Sequence, residues 1–233
     1  MSAVAPPAAP VAQAPRAARR SRLAWLGLVA FAGLAVAGQF APKWLTYLVT
    51  MSAGHGLVSL GIVCLMRGGV VPFGQGMVFA IGGYAAALLY NKLGFTDALG
   101  LALAGGVMAT LIALPFAPLL ARYRGIFFAM LTLALSMVTY GLGMKIEALG
   151  GSDGFNVGRA TMFGWRPPDA QVGYVLYLLT VGVATVMALL ARVYFDSTRG
   201  LVTLATRDNE LRVEYLGGSV RHAMTVNFLL AAW

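Results

Sequence analysis

Apolar residues run through most of the chain in blocks of about 20, the length that crosses a hydrocarbon core of roughly 30 Å as a helix. Short polar connectors separate the blocks. Lipid offers the backbone no hydrogen-bond partners, so a crossing block closes its own bonds as a helix. The pattern predicts spans at Leu23–Phe40, Trp44–Met66, Met77–Tyr90, Ala98–Ala121, Gly125–Met144 and Val172–Ala191. A seventh apolar run opens near Met224 and reaches Trp233. Strand-like alternation is absent, which argues against a β-barrel. The expected fold class is all-α: a polytopic transmembrane helical bundle of about six complete spans plus the start of a seventh.

Two interruptions shape this picture. Residues 1–22 are rich in Ala and Pro and end in Arg16, Arg19, Arg20 and Arg22, the composition of a disordered tail. The stretch RGGVVPFGQG, residues 67–76, holds too much Gly and Pro for a regular helix, so a broken helix is expected there. Non-helical backbone at membrane depth is tolerated only against protein or a water-filled cavity, which makes such a break a pointer to a translocation path. The domain reading is therefore a tail, 1–22, and one transmembrane domain, 23–233.

Composition agrees with this pattern. Hydrophobic residues make up 59% of the 233 and charged residues 11%, against about 25% charged in a soluble domain. The net charge of +9 is spread between spans rather than along one arm or face, so a nucleic-acid partner is not indicated. Orientation follows from Lys and Arg in alternate connectors. With the N-terminus inside, twelve fall on the inner side and five on the outer. This bias predicts a multi-pass protein with a cytoplasmic N-terminus. It places residues 194–222 in the cytoplasm and Lys145–Gln171 outside.

Several chemistries find no support. The lone Cys64 excludes an internal disulfide and a cysteine-built metal site. No phosphate-binding loop, zinc-protease motif or nucleophile elbow occurs. His55 and His222 lack partners at ligand spacing and read as structural. No Asp, Glu, Lys or Arg falls in the middle of an expected span between Leu23 and Ala191. Ion-driven carriers usually bury such groups, so uphill movement would draw its energy from a partner.

That directs attention to residues 194–222, the one long polar segment with helical patterning. Residues 192–221 carry five of the seventeen basic side chains, and 194–222 four of the eight acids. Leu201, Leu204 and Ala205 are spaced to share a helix face. Thr206 or Asp208 is positioned to cap a second short helix, on which Leu211 and Tyr215 share a face beside Leu216. Gly217-Gly218 stops that helix, and Ser219 caps the next. The outcome expected is a helix–break–helix with a small apolar patch rimmed by Arg207, Asp208, Glu210, Arg212 and Glu214.

Five segments in this order then resemble one family: VPFGQGMVFAIGGYAAALL (71–89), RYRGIFFAMLTLALS (122–136), GGSDGF (150–155), RGLVTLATRDNELRVEYLGGSVRHAM (199–224) and VNFLLAAW (226–233). Together they resemble the LivM-like permease subunits of branched-chain amino acid ABC importers. The resemblance implies a non-catalytic pore subunit of a bacterial inner membrane, with no cofactor. Its implied partners are two cytoplasmic ATPases, a second related permease, an external solute-binding protein and membrane lipid. It implies an ATPase-coupling loop centred on Arg207, Asp208, Asn209, Glu210, Leu211, Tyr215 and Gly217. It implies a translocation path at Pro72, Phe73, Gly74, Gln75 and Tyr84, and an external gate or docking site at Asp153, Gly154 and Phe155. It also implies further spans beyond Trp233, so the chain is expected to be truncated at its C-terminus.

The chain departs from the family pattern at Pro72-Phe73, where Ser-Leu is common, at Gln75 for His, at Ile62 for Asn and at Arg67. The solute is therefore expected to be a branched-chain amino acid or a related small amino-acid or amide compound, with urea or short amides as the alternative. A stand-alone ion-coupled carrier and a lipid-acting membrane enzyme are the readings from other classes.

Overall fold

The computed structural model of the chain describes residues 16–146, 149–151, 154, 156–162, 164–168 and 171–233. Among the described residues the architecture is helical, and the only β pairing is two isolated bridges, Asp97 with Thr161 and Met162 with Trp165. Helix α1 (Arg16–Phe40) begins within the stretch expected to be tail, because its Ala and Arg residues are good helix formers. Pro42, which has no N–H to donate, separates it from α2 (Lys43–Arg67). Residues 68–74 are not helical, as the Gly and Pro content predicts. Gly69, at φ +80°, takes a conformation that L side chains rarely adopt.

Helix α3 (Gln75–Leu93) ends at Gly94 in the left-handed region and folds back into α4 (Ala98–Ala113). The Asp97 carboxylate caps α4 by accepting from the Gly100 N–H at 3.1 Å. Glycines allow α3 and α4 to approach closely. A Cβ on Gly105 would lie 2.8 Å from the Gly82 carbonyl oxygen, and one on Gly82 would lie 3.3 Å from that of Gly105. Small residues at such crossings are the usual means of helix packing in lipid, where burial from water supplies no drive.

The span expected at Ala98–Ala121 is two helices, not one. Pro115 ends α4, and α5 (Phe116–Leu120) starts after it. A proline inside a helix removes one hydrogen bond and clashes with the preceding turn. Helix α6 (Gly125–Lys145) follows, then a long connector, then α7 (Val172–Phe195). The connector is stitched to the α3–α4 turn: the Thr161 N–H donates to Thr96 O at 2.7 Å and the Ala98 N–H to Thr161 O at 2.8 Å. The chain closes with α8 (Thr198–Asp208), α9 (Glu210–Tyr215) and α10 (Val220–Ala232).

Three of the described helices, α2, α6 and α7, are long and apolar enough to cross a membrane by length and composition. Gly27–Phe40 and Ala98–Ala113 are shorter apolar helices. Along the α1–α7 contact, the Tyr177 hydroxyl donates to Leu34 O at 2.8 Å and the Tyr174 hydroxyl to Ala35 O at 3.0 Å. Gly38 leaves room for the Tyr177 ring.

The buried core lies at one end of the bundle. Leu65, Val70, Leu120, Phe128, Met224 and Phe228 meet there, joining α2, the interrupted stretch, α5, α6 and α10. Elsewhere large apolar side chains point outward, such as Ile126, Phe127 and Met137 on α6, the arrangement that lipid rather than water rewards. Replacing Gly105 by Val should cost about 1–3 kcal/mol through overpacking, read as a lower thermal midpoint in detergent. Gly83→Ala, with nothing within 4 Å of its Cβ position, should leave the midpoint unchanged or raise it.

Candidate functional site

Residues 68–74 interrupt the helix between α2 and α3, and contacts from α6 and α10 hold the interruption. The Phe73 N–H donates to Thr132 Oγ1 of α6 at 3.2 Å. Gly74 rests on the Thr132 backbone, where a Cβ would come within 2.7 Å of the carbonyl oxygen. Gln75 is buried, and its Nε2 donates to Ala231 O of α10. Gly61 of α2 lies against that amide and admits no side chain: a Cβ there would lie 2.8 Å from Ala231 O. One turn further along α2, Asn227 of α10 is fully buried and donates from Nδ2 to Cys64 O at 2.7 Å. The Arg67 guanidinium sits 4.4 Å above the Phe195 ring, which gives its charge a π-face near the end of α7.

Beside this clamp lies a cavity of about 740 Å³ between α2, α3, α4, α7 and α10. Gly61, Gln75, Phe79, Gly82 and Gly106 are among the residues that line it, and none of the lining residues carries a formal charge. Such a space accepts an aliphatic group readily and an amide through Gln75. It holds no fixed countercharge for a zwitterion.

The expected path residues separate. Gln75 reaches the cavity. Pro72 is buried, Phe73 is exposed, and Gly74 packs on α6. Tyr84 faces α6 as well, its hydroxyl 3.9 Å from the Cβ position of Gly143. Gly61, Phe79, Thr132 and Asn227 belong to the arrangement without having been anticipated. Asn227 had a signal, a lone amide in an otherwise apolar run; Gly61 and Thr132 had none. His55 bonds through Nδ1 to Met51 O at 2.8 Å. A carbonyl only accepts, so Nδ1 carries the proton. Of the expected external site, Gly154 has φ +66°, and Asp153 and Phe155 lie outside the described residues.

At the far end of the clamp is the polar stretch. Ser197 caps α8, its Oγ accepting from the Gly200 N–H at 3.3 Å. The cap of α9 is Asn209, not Thr206 or Asp208: its Oδ1 accepts from the Arg212 N–H at 3.0 Å. Asp208 remains in α8, and Asn209 has the extended backbone (φ −160°, ψ 104°) that a cap requires. Gly217, at φ +81°, ends α9, with the Gly218 N–H on Val213 O and the Gly217 N–H on Glu214 O, both 2.9 Å. Ser219 caps α10 as expected, accepting from the His222 N–H at 3.3 Å.

The packed face of α8 is its Gly/Thr face. Gly200, Thr203 and Thr206 are buried, whereas Leu201 and Ala205 face outward. The Thr hydroxyls donate to Arg199 O and Val202 O one turn back, both at 2.9 Å, so each side chain presents a methyl group to its neighbours. On α9 only Val213 points inward. Leu211, Tyr215 and Leu216 are 64%, 88% and 89% exposed. Arg207 packs along Gly69, and Asp208 faces out. Glu210 accepts from Arg124 Nε at 2.6 Å.

With this geometry in place, one comparison decides the family. The family model described as the permease component of the branched-chain amino acid transport system matches residues 44–233, α2 through α10. The chain belongs to this family. It is thus a membrane-embedded transport component of the ABC permease kind, a class that works with ATPase and binding-protein components. A comparison with curated proteins and one with solved structures each gave no match.

Asn227→Leu should destabilise this permease by about 1–3 kcal/mol, through loss of a buried hydrogen bond. Thermal unfolding in detergent, followed through aggregation or tryptophan emission, measures it.

Proposed function

We propose that the chain is one of two permease subunits in an ABC importer of a bacterial inner membrane, with its N-terminus in the cytoplasm. It moves branched-chain amino acids, or a closely related small amino-acid or amide solute, inward by alternating access. ATP is hydrolysed on two cytoplasmic ATPases, and a solute-binding protein delivers from outside.

The observation that carries this reading is the exposed trio Leu211, Tyr215 and Leu216. A six-residue helix has too few internal bonds to persist on its own. Here α9 is fixed by the Asn209 cap, the Gly217–Gly218 turn and the buried Val213, and it still leaves three large apolar groups uncovered. A rigid apolar knob rimmed by Arg207, Asp208, Arg212 and Glu214 suits insertion into a groove of a folded partner. In a permease whose transport needs ATP, an ATPase is that partner. On the opposite side, Asp153, Gly154 and Phe155 would meet the binding protein.

The translocation route in this reading passes Gln75 and the cavity beside it, with Pro72, Phe73, Gly74 and Tyr84 shaping the interrupted wall. The uncharged lining also supports the second reading, a neutral solute such as urea or a short amide. Uptake of labelled leucine by the assembled complex, challenged with excess urea or acetamide, separates the two. Competition by isoleucine and valine but not by amides supports the first, and the reverse supports the second.

Replacing Tyr215 and Leu216 together by Ala should leave membrane insertion and thermal stability intact, since both side chains are outside the core. Association with the ATPases should weaken at least about tenfold, the effect of losing an aromatic anchor. Co-purification of the ATPases at wild-type level with full uptake would sink the docking claim.

A further inference from the structure

Arg124 and Glu210 are 86 positions apart in sequence and meet at 2.6 Å, with their side chains 27% and 44% exposed. What matters is what each is attached to. Arg124 is the residue that leads into α6, with extended backbone at φ −131° and ψ 162°. Two turns along α6, Thr132 holds the Phe73 N–H and seats Gly74. Gln75 then donates to Ala231 at the other end of α10. Helix α10 begins at Ser219, directly after the Gly217–Gly218 turn that ends α9. These contacts close a ring: α9, α6, residues 73–75, α10, and back to α9. The Arg124–Glu210 pair is the charged, partly exposed link of that ring.

We propose that the Arg124–Glu210 ion pair is a strut that ties the position of α9 to the interrupted segment through α6, which makes Arg124 a positioning residue for transport. Without the pair, α9 is held only through its two chain connections and Val213, and it can tilt about Asn209 and Gly217. With it, a pull on α9 acts at the end of a helix that is stiff over the eight residues to Thr132, about 12 Å. A half-exposed ion pair adds little to fold stability. It can therefore break and re-form within a cycle, and its removal leaves the bundle folded. The role in transport rests on the importer reading, but the mechanical link does not.

The test uses that separation. With the chain alone in lipid nanodiscs, Arg124→Gln should speed amide hydrogen exchange in residues 72–76 at least about fivefold. Arg124→Lys, which keeps the charge, should not. Unchanged exchange in Arg124→Gln overturns the strut. In the assembled complex in liposomes, Arg124→Gln and Glu210→Gln should each lower labelled leucine taken up per ATP hydrolysed at least about fivefold, and the double variant should be no worse than either. A wild-type ratio in Arg124→Gln, or single effects that multiply in the double, also overturns it. No ATP-dependent uptake by the wild type, with the exchange effect intact, tells against the importer reading and leaves the strut standing.

Discussion

Every buried backbone polar group needs a partner, and that constraint organises the structure around residues 68–75. A helix meets it internally, and an interrupted helix does not. Each group left buried and unpaired costs free energy, and the break between α2 and α3 is held by contacts from neighbouring elements. Thr132 comes from α6 and Ala231 from α10, and Gln75 contributes its own side chain. The core gathers at this end for the same reason. Away from it the helices need no apolar burial against one another, because lipid covers their apolar faces.

The same end carries the polar stretch, and the two are built as one unit. Asn209, Gly217–Gly218 and Ser219 turn the chain sharply within a dozen residues. The turns join α9 to α10 through few residues, the Arg124–Glu210 pair limits the tilt that remains, and α10 in turn contacts Gln75 through Ala231 and α2 through Asn227. Short connectors between capped helices transmit displacement, whereas long loops absorb it. In the proposed importer, force received at α9 would have a direct bonded route to the interruption between α2 and α3.

Much of the architecture was legible in the chain because lipid imposes a coarse code. The blocks that became α2, α6 and α7 were visible from length and apolarity alone, and the break at 67–76 from its Gly and Pro. Local stop signals were equally readable at Gly217 and Ser219. Where neighbouring residues compete for one role, pattern fails: Asp208 and Asn209 can both cap, and only the backbone conformation decides. The burial of Thr203 and Thr206 was not legible, since a Thr that bonds its own preceding turn buries like Val while Leu201 and Ala205 face outward. The expected span Ala98–Ala121 runs through Pro115 because the apolar run continues beyond it. The clamp contacts could not be read at all, since Gln75 and Ala231 are 156 residues apart and Arg124 and Glu210 are 86 apart. For the path residues, Gln75 alone reaches the cavity, because Phe73 and Gly74 are committed to holding the break.

In the proposed route, the uncharged side chains of the cavity also limit what this chain can contribute to selectivity. Stripping water from an ammonium and a carboxylate is expensive unless fixed partners replace it. The lining beside Gln75 supplies one amide and apolar walls. Contact of an aliphatic side chain with such walls distinguishes solutes by about 1–3 kcal/mol per methylene at best. A site of this kind binds weakly and lets its solute leave, which suits a conduit better than a receptor. Strong discrimination between amino acids would then have to be made before the solute reaches the membrane, by the component that delivers it, while the permease contributes shape and the timing of opening.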